Sequence, residues 1–333
     1  MKLEQMPRYP LLCGFTPLQR MENLEQALGC GPLYIKRDDL TPLGLGGNKT
    51  RKLEFLLGDA LAGGADTLVT VGGVQTNHGR LTAAAAAKAG LACTLVLDGA
   101  RPEKLSGNLL LDCLLGASLV YTDGRSTSAV IEETLAALQA AGRAPYFIPE
   151  GGSNAVGSAG YLAMVPELLA QADSLPVPPV RLVCTMGSLG TFAGLWLGAR
   201  AFGAPFSVTG VAVNPTTGYT REKAAALVNE MSAAYGLDIA AAPEDMDIIY
   251  ADAAHDYAGP GYNVPDAKTR GAVELLARTE GIFLDPCYTA KSFRGFCDIA
   301  RELDGGAIFV HTGGTPALWT QEHLDAFAAD YWN

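Results

Sequence analysis

The 333-residue chain has no Cys-x-x-Cys pair, and its seven cysteines are odd in number and irregularly spaced. That excludes a paired disulfide frame and a cysteine-ligated zinc site, and it fits reduced thiols. His78, one of four histidines, has no second His or acidic ligand at ligand spacing beside it, and the expectation is no metal centre. Basic runs are absent. Twenty-four Lys and Arg stand against 35 Asp and Glu, a net charge of −11, which opposes binding to nucleic acid. No apolar run approaches the roughly 18 residues needed to cross a bilayer. The opening "MKLEQMPRYPLL" has no apolar core of signal-peptide length, so a cytoplasmic location without membrane partners is expected.

What is present is apolar residue, 49% of the chain, enough for a large core. At roughly 100–200 residues per domain, two domains or one large one are expected. Short β-branched runs alternate with Ala/Leu-rich helical runs. Strands are predicted at 33–37, 67–71, 93–97, 118–122, 146–149, 181–185, 208–213, 247–250 and 307–311. Helices are predicted at 50–62, 78–89, 106–115, 127–141, 157–171, 191–202, 220–235, 267–280, 290–303 and 316–328. This alternation predicts an α/β protein with parallel sheets covered on both faces. Two sheets hold so many strands more easily than one.

Three stretches carry chemistry. In "PLGLGGNKTRKLEFLL", Gly44, Gly46 and Gly47 precede Lys49, with Arg51 and Lys52 close behind. Asn48 separates glycine from lysine, so the P-loop pattern Gly-Lys-Ser/Thr is not met. Cations in a first helical turn oppose the helix dipole, an odd choice for plain stability. Side-chain-free glycines let a flat ring lie against the backbone, and a lysine there can form an imine with an aldehyde. Lys52 shares the helical face of Lys49 and could meet a phosphate. In "VTVGGVQTNHGR", a strand runs into a helix through Gln75, Thr76, Asn77 and His78, suited to a carboxylate or to simple N-capping. In "RLVCTMGSLGTFAGL", the turn Gly187-Ser188-Leu189-Gly190-Thr191 opens a helix and forms a phosphate cradle. It also loosely resembles a dinucleotide turn. The full Gly-x-Gly-x-x-Gly is absent, which leaves NAD-dependent hydride transfer as a minor alternative.

Together these stretches resemble the fold-type II pyridoxal phosphate enzymes built like the tryptophan synthase β subunit. Within them the chain is most similar to the D-cysteine desulfhydrase and 1-aminocyclopropane-1-carboxylate (ACC) deaminase group. "IPEGGSNAVGSAGY", "GPGYNVP", "GIFLDPCYTAKSFRG" and "FVHTGGTPAL" match further family segments in the family's order. The resemblance implies two domains, 1–47 plus 160–333 (larger, cofactor-binding) and 48–159 (smaller, carrying the substrate loop). Each would be an open, mostly parallel twisted sheet flanked by helices, with pyridoxal 5'-phosphate in the cleft between them. It implies Lys49 as the Schiff-base lysine. Lys52 and the turn Gly187, Ser188, Leu189, Gly190, Thr191 would hold the phosphate. Asn77 would contact the ring 3-hydroxyl, and Thr312 would face the pyridine nitrogen. The loop Thr76-Asn77-His78 would hold the substrate carboxylate, and Tyr262 and Tyr288 would flank the substrate. Thr76 stands where the family usually has serine, adding a methyl beside the substrate, and Gly79 is also unusual.

The implied reaction is β-elimination on a small amino acid, with D-cysteine giving pyruvate, ammonium and hydrogen sulfide. In the ACC deaminases a glutamate directly follows the tyrosine. Here that residue is Thr289, which favours desulfhydrase chemistry. L-cysteate sulfo-lyase activity and ACC deamination are the alternatives, as is a non-catalytic protein binding the cofactor or an amino acid. A homodimer is also implied.

Overall fold

A computed structural model describes residues 3–214, 218–252 and 254–332. Its strands are β1 (Leu18–Arg20), β2 (Leu33–Lys36), β3 (Thr67–Gly73), β4 (Ala92–Asp98), β5 (Ser118–Tyr121), β6 (Pro145–Ile148), β7 (Pro179–Met186), β8 (Ser207–Ala212), β9 (Ile248–Ile249) and β10 (Gly306–Val310). Its helices are α1 (Glu22–Leu28), α2 (Lys49–Ala62), α3 (Asn77–Ala89), α4 (Gly107–Leu114), α5 (Thr127–Ala140), α6 (Ala155–Leu162), α7 (Met164–Ala172), α8 (Leu189–Ala201), α9 (Arg221–Tyr235), α10 (Ala267–Glu280), α11 (Thr289–Glu302) and α12 (Gln321–Trp332).

The strands form two sheets, one of six strands in the order β1-β2-β10-β7-β8-β9 and one of four in the order β5-β4-β3-β6. Every pairing is parallel except β1 with β2. The fold is therefore mixed α/β with two open, mostly parallel sheets flanked by helices. Side chains alternate across the larger sheet. Leu182, Cys184, Ile308 and Val310 join a core with Tyr161, Phe192 and Leu195 of α6 and α8. Their neighbours Val183 and Phe309 join a second core with Leu276, Phe293 and Phe296 of α10 and α11. Burial on both faces explains why these strands read as continuous apolar runs. The smaller sheet packs Leu68, Leu95, Leu97 and Ile148 against Leu53, Leu56 and Leu57 of α2 and Leu81 of α3.

Three sequence expectations need correction. The single helix predicted over 157–171 is two, α6 and α7, which meet at Ala163. Pro166 lies in the first turn of α7 and has no N–H to carry a continuous helix through that point. The helix predicted over 316–328 is a 3-10 turn, Thr315–Trp319, followed by α12. Thr320 between them is extended, and its carbonyl accepts the Leu324 N–H, which restarts the helix. The sequence reading also missed β1 and α1, whose three and seven residues are too short to show a period.

Candidate active site

The C-terminal ends of β3, β7 and β10 bring three loops to one cleft of about 510 Å³. Of the residues singled out from sequence, Lys49, Thr76, Asn77, His78, Gly187, Ser188, Thr191, Tyr262, Tyr288 and Thr312 line it. Lys52, Leu189 and Gly190 do not, because Lys52 lies behind the wall and Leu189 turns into the larger core.

The glycines before Lys49 serve close approach. A Cβ on Gly46, at φ 76°, would sit 1.8 Å from the Asp39 carbonyl oxygen. A Cβ on Gly313 would meet the Gly47 Cα at 2.6 Å, so two glycine loops lie back to back. The Asn48 N–H donates to the Thr312 carbonyl (3.0 Å), and its side-chain amide donates to Thr191 Oγ1 (3.0 Å). Lys49 is thereby delivered into the cleft from the first turn of α2. Desolvation by the cleft walls lowers its amine to about 8, against the opposing pull of Glu150 and Asp285. The uncharged amine is the nucleophile toward an aldehyde. Below pH 8 the uncharged fraction falls about tenfold per pH unit. Uptake of pyridoxal phosphate by the apoenzyme should therefore quicken with rising pH and level off above about 8, which stopped-flow absorbance from pH 6 to 10 would show. A rate still climbing at pH 10 would mean the amine titrates as an ordinary lysine.

Lys52 is fully buried, and its Nζ donates to the Gly151 carbonyl (2.9 Å). Burial, then the charge of Lys49, pushes it well below the usual lysine range. The same place gathers neutral donors. A Cβ on Gly190 would lie 2.8 Å from Lys52 Nζ, 2.8 Å from Ser158 Oγ and 3.0 Å from Ser153 Oγ. Ser158 Oγ is buried with no partner, while Ser153 Oγ reaches Ser188 Oγ (2.9 Å) and accepts from the Gly190 N–H (3.1 Å). A buried ammonium and hydroxyls at the N-terminus of α8 form an anion cradle.

On the opposite wall, Thr76 caps α3, its hydroxyl accepting from the Gly79 N–H (3.1 Å). Asn77 Oδ1 accepts from Asn108 (2.9 Å), and Gln75 in turn grips the start of α4 through Asn108. His78 is buried, and burial followed by the two lysines, against the Pro149 carbonyl, lowers its pKa well below the usual range and holds it neutral. Thr76 and Gly79 compensate one another. A Cβ at Gly79 would stand 2.4 Å from the Thr76 methyl, so the methyl packs against Gly79. Gly79→Ala is expected to cost about 1–3 kcal/mol by overpacking. Adding Thr76→Ser should recover most of it, measured as a double-mutant cycle in urea.

Tyr262 and Tyr288 meet edge to face, ring centroids 5.8 Å apart, and burial pushes both phenols above their ordinary range. Sequence reasoning missed what holds them. Asp285 accepts from the N–H groups of Cys287 (3.0 Å), Tyr288 (2.9 Å) and Thr289 (2.8 Å), fixing the turn into α11. Lys291 donates to the carbonyls of Ala258 (2.7 Å) and Gly261 (2.8 Å), tying down the loop that carries Tyr262. A lysine fully buried on α11 was the available signal.

A half-buried lysine with a lowered pKa, beside an anion cradle and between two parallel sheets, defines an enzyme that binds a phosphorylated carbonyl compound. Residues 10–313 match the family described as pyridoxal-phosphate dependent enzyme, and the chain belongs to that family. It is 41% identical to a D-cysteine desulfhydrase of Yersinia enterocolitica over 96% of this chain and 97% of the relative. It is 39% identical to a putative 1-aminocyclopropane-1-carboxylate deaminase of Pyrococcus abyssi over 95% and 94%. A crystal structure of an ACC deaminase homologue superposes with a TM-score of 0.88 at 36% identity, covering 98% of this chain and 97% of that one. A fungal L-serine ammonia-lyase from Rhizomucor miehei, 19% identical with a TM-score of 0.65 over 96% and 98%, shares the fold. The residues present fit pyridoxal phosphate: Ser158 Oγ is buried without a partner, close to the position that Lys52 Nζ also approaches.

Proposed function

We propose that this enzyme catalyses β-elimination on a small amino acid, releasing hydrosulfide from D-cysteine and giving pyruvate and ammonium. The observation that carries the choice is Thr289. Its hydroxyl is buried and donates to Asp285 (2.6 Å), so this position offers the cleft no acid beside Tyr288 to open a substrate without an α-proton. A second observation speaks against a sulfonate leaving group. Arg80 turns away from the cleft to the Gly46 carbonyl (2.8 Å), and His78 is neutral. The relatives named D-cysteine desulfhydrase support the same reading.

When bound, the cofactor supplies an electron sink for the pair left on the α-carbon. Lys49 would hold the cofactor, and its free amine, near 8, is suited to take the α-proton. The carbon–sulfur bond breaks and the sulfur leaves as hydrosulfide. The released aminoacrylate hydrolyses to pyruvate and ammonium. Lys52 and the turn Gly187–Thr191 would hold the phosphate, Asn77 would hold the ring hydroxyl, and Thr312 would serve the ring nitrogen. N–H groups of the loop Thr76-Asn77-His78 take the substrate carboxylate, while Tyr262 and Tyr288 flank its side chain and exclude water. The larger domain comprises 1–47 plus 160–333 and the smaller 48–159, in keeping with the strands of the two sheets. The enzyme is read as a cytoplasmic homodimer; none of its described helices is long and apolar enough to cross a membrane.

The test is a product assay of the holoenzyme for pyruvate and sulfide with D-cysteine, L-cysteine, L-cysteate, ACC and D-serine. Turnover of D-cysteine above the others is expected. Activity on ACC alone would overturn the reading, and a cofactor band with no product from any of them would make the protein a binder.

A further inference from the structure

β3 ends at the centre of the smaller sheet, and the loop carrying Thr76 leaves from that end. Asp98 ends β4 on one side, in register with Gly73, and Glu150 follows β6 on the other. Both carboxylates line the cleft. Each is held from outside: Asp98 accepts from Thr122 Oγ1 (3.1 Å) and Thr127 Oγ1 (3.3 Å), and Glu150 from the Tyr219 hydroxyl (2.6 Å). Glu150 therefore also ties the smaller sheet's rim to the loop after β8. Its charge reaches the Lys49 amine and the Tyr288 hydroxyl. Among the described residues lining the cleft, Lys49 is the one cation, and the cofactor takes its amine; the charge of Arg80, behind the wall on the Gly46 carbonyl, also reaches that amine, against Asp285 as well as Glu150. The other titratable groups there, His78, Tyr262 and Tyr288, are neutral. The field meeting a substituent beyond the α-carbon is thus negative.

We infer that Asp98 and Glu150 select the substrate's side chain by charge, admitting neutral and cationic substituents and rejecting anionic ones. This deepens the β-elimination reading and rests on its placement of the substrate in this cleft, but it does not depend on which group leaves.

Dissociation constants of the holoenzyme for asparagine, aspartate and 2,4-diaminobutyrate, in both D and L series, can be read from the cofactor absorbance without turnover. Two partly solvated carboxylates should make aspartate about tenfold weaker than its isostere asparagine. Diaminobutyrate should bind at least as tightly as asparagine. Asp98→Asn and Glu150→Gln, which keep the hydrogen bonds, should each narrow the aspartate–asparagine gap, and the double variant should bring it within about twofold. Equal binding of the two by the wild-type enzyme, or a gap that survives in every variant, would overturn the inference, as would failure of asparagine to bind in either series. A failed desulfhydrase assay beside an intact charge gap would refute the reaction and leave the selection standing.

Discussion

Lys49→Ala is expected to lower kcat/KM by at least about 10³-fold, some 4 kcal/mol of transition-state stabilisation. The protein should still fold, because the side chain is half-buried at the edge of a cleft and packs into no core. Two functions go at once: the attachment of the cofactor and the base that takes the α-proton. The near-visible band of the lysine-bound cofactor should vanish with them. Borohydride treatment followed by peptide mapping should place a pyridoxyl label on position 49 of the wild type and nowhere in the variant. The mapping matters because Lys52 is three residues away with an amine that burial also depresses. A label on Lys52 in the wild-type enzyme would exchange the proposed roles of the two lysines.

The second large effect concerns the cation between them. Arg51 turns away from the cleft into a buried pair of acids. It donates to Asp38 (2.8 and 2.9 Å) and to Glu167 (2.8 and 2.9 Å), while Lys36 and the Tyr161 hydroxyl complete the network. Burial pushes the Asp38 carboxyl up, yet the adjacent Arg51 overcomes this and holds it below the usual carboxylate range. Arg51→Met would leave two buried carboxylates without the guanidinium that pairs with both. The expected loss is about 3–5 kcal/mol of folding stability, seen as a lower denaturation midpoint at constant slope. A loss below about 1 kcal/mol would mean that water or Lys36 takes over the neutralisation.

Arg51 also shows where sequence reading reached its limit. Three cations in a first turn were legible as an anomaly for a plain surface helix, and one of them, Lys49, does line the cleft. Nothing in local spacing could assign the third to Asp38 and Glu167, which lie 13 and 116 residues away. Every described strand but β1 was legible, the central ones because burial on two faces writes an unbroken apolar run. The glycine turn after β7 was legible because loops at a helix start need those residues. The network behind the site was not. Asp285 reads as one more acidic residue until its carboxylate is seen gathering three backbone N–H groups, and Asn108 until it is seen holding Asn77. Glu150 and Asp98 lie at strand ends in separate units, and only the sheet order places them on either side of one loop.

The interlock of Thr76 with Gly79 has an evolutionary corollary. With serine at position 76 either glycine or alanine should fit at 79, whereas beside threonine alanine should carry the overpacking cost. Alanine can therefore enter at 79 without strain only after serine has replaced threonine at 76. Drift away from this pair is cheap in that order alone, so the two positions behave as a ratchet at the start of α3.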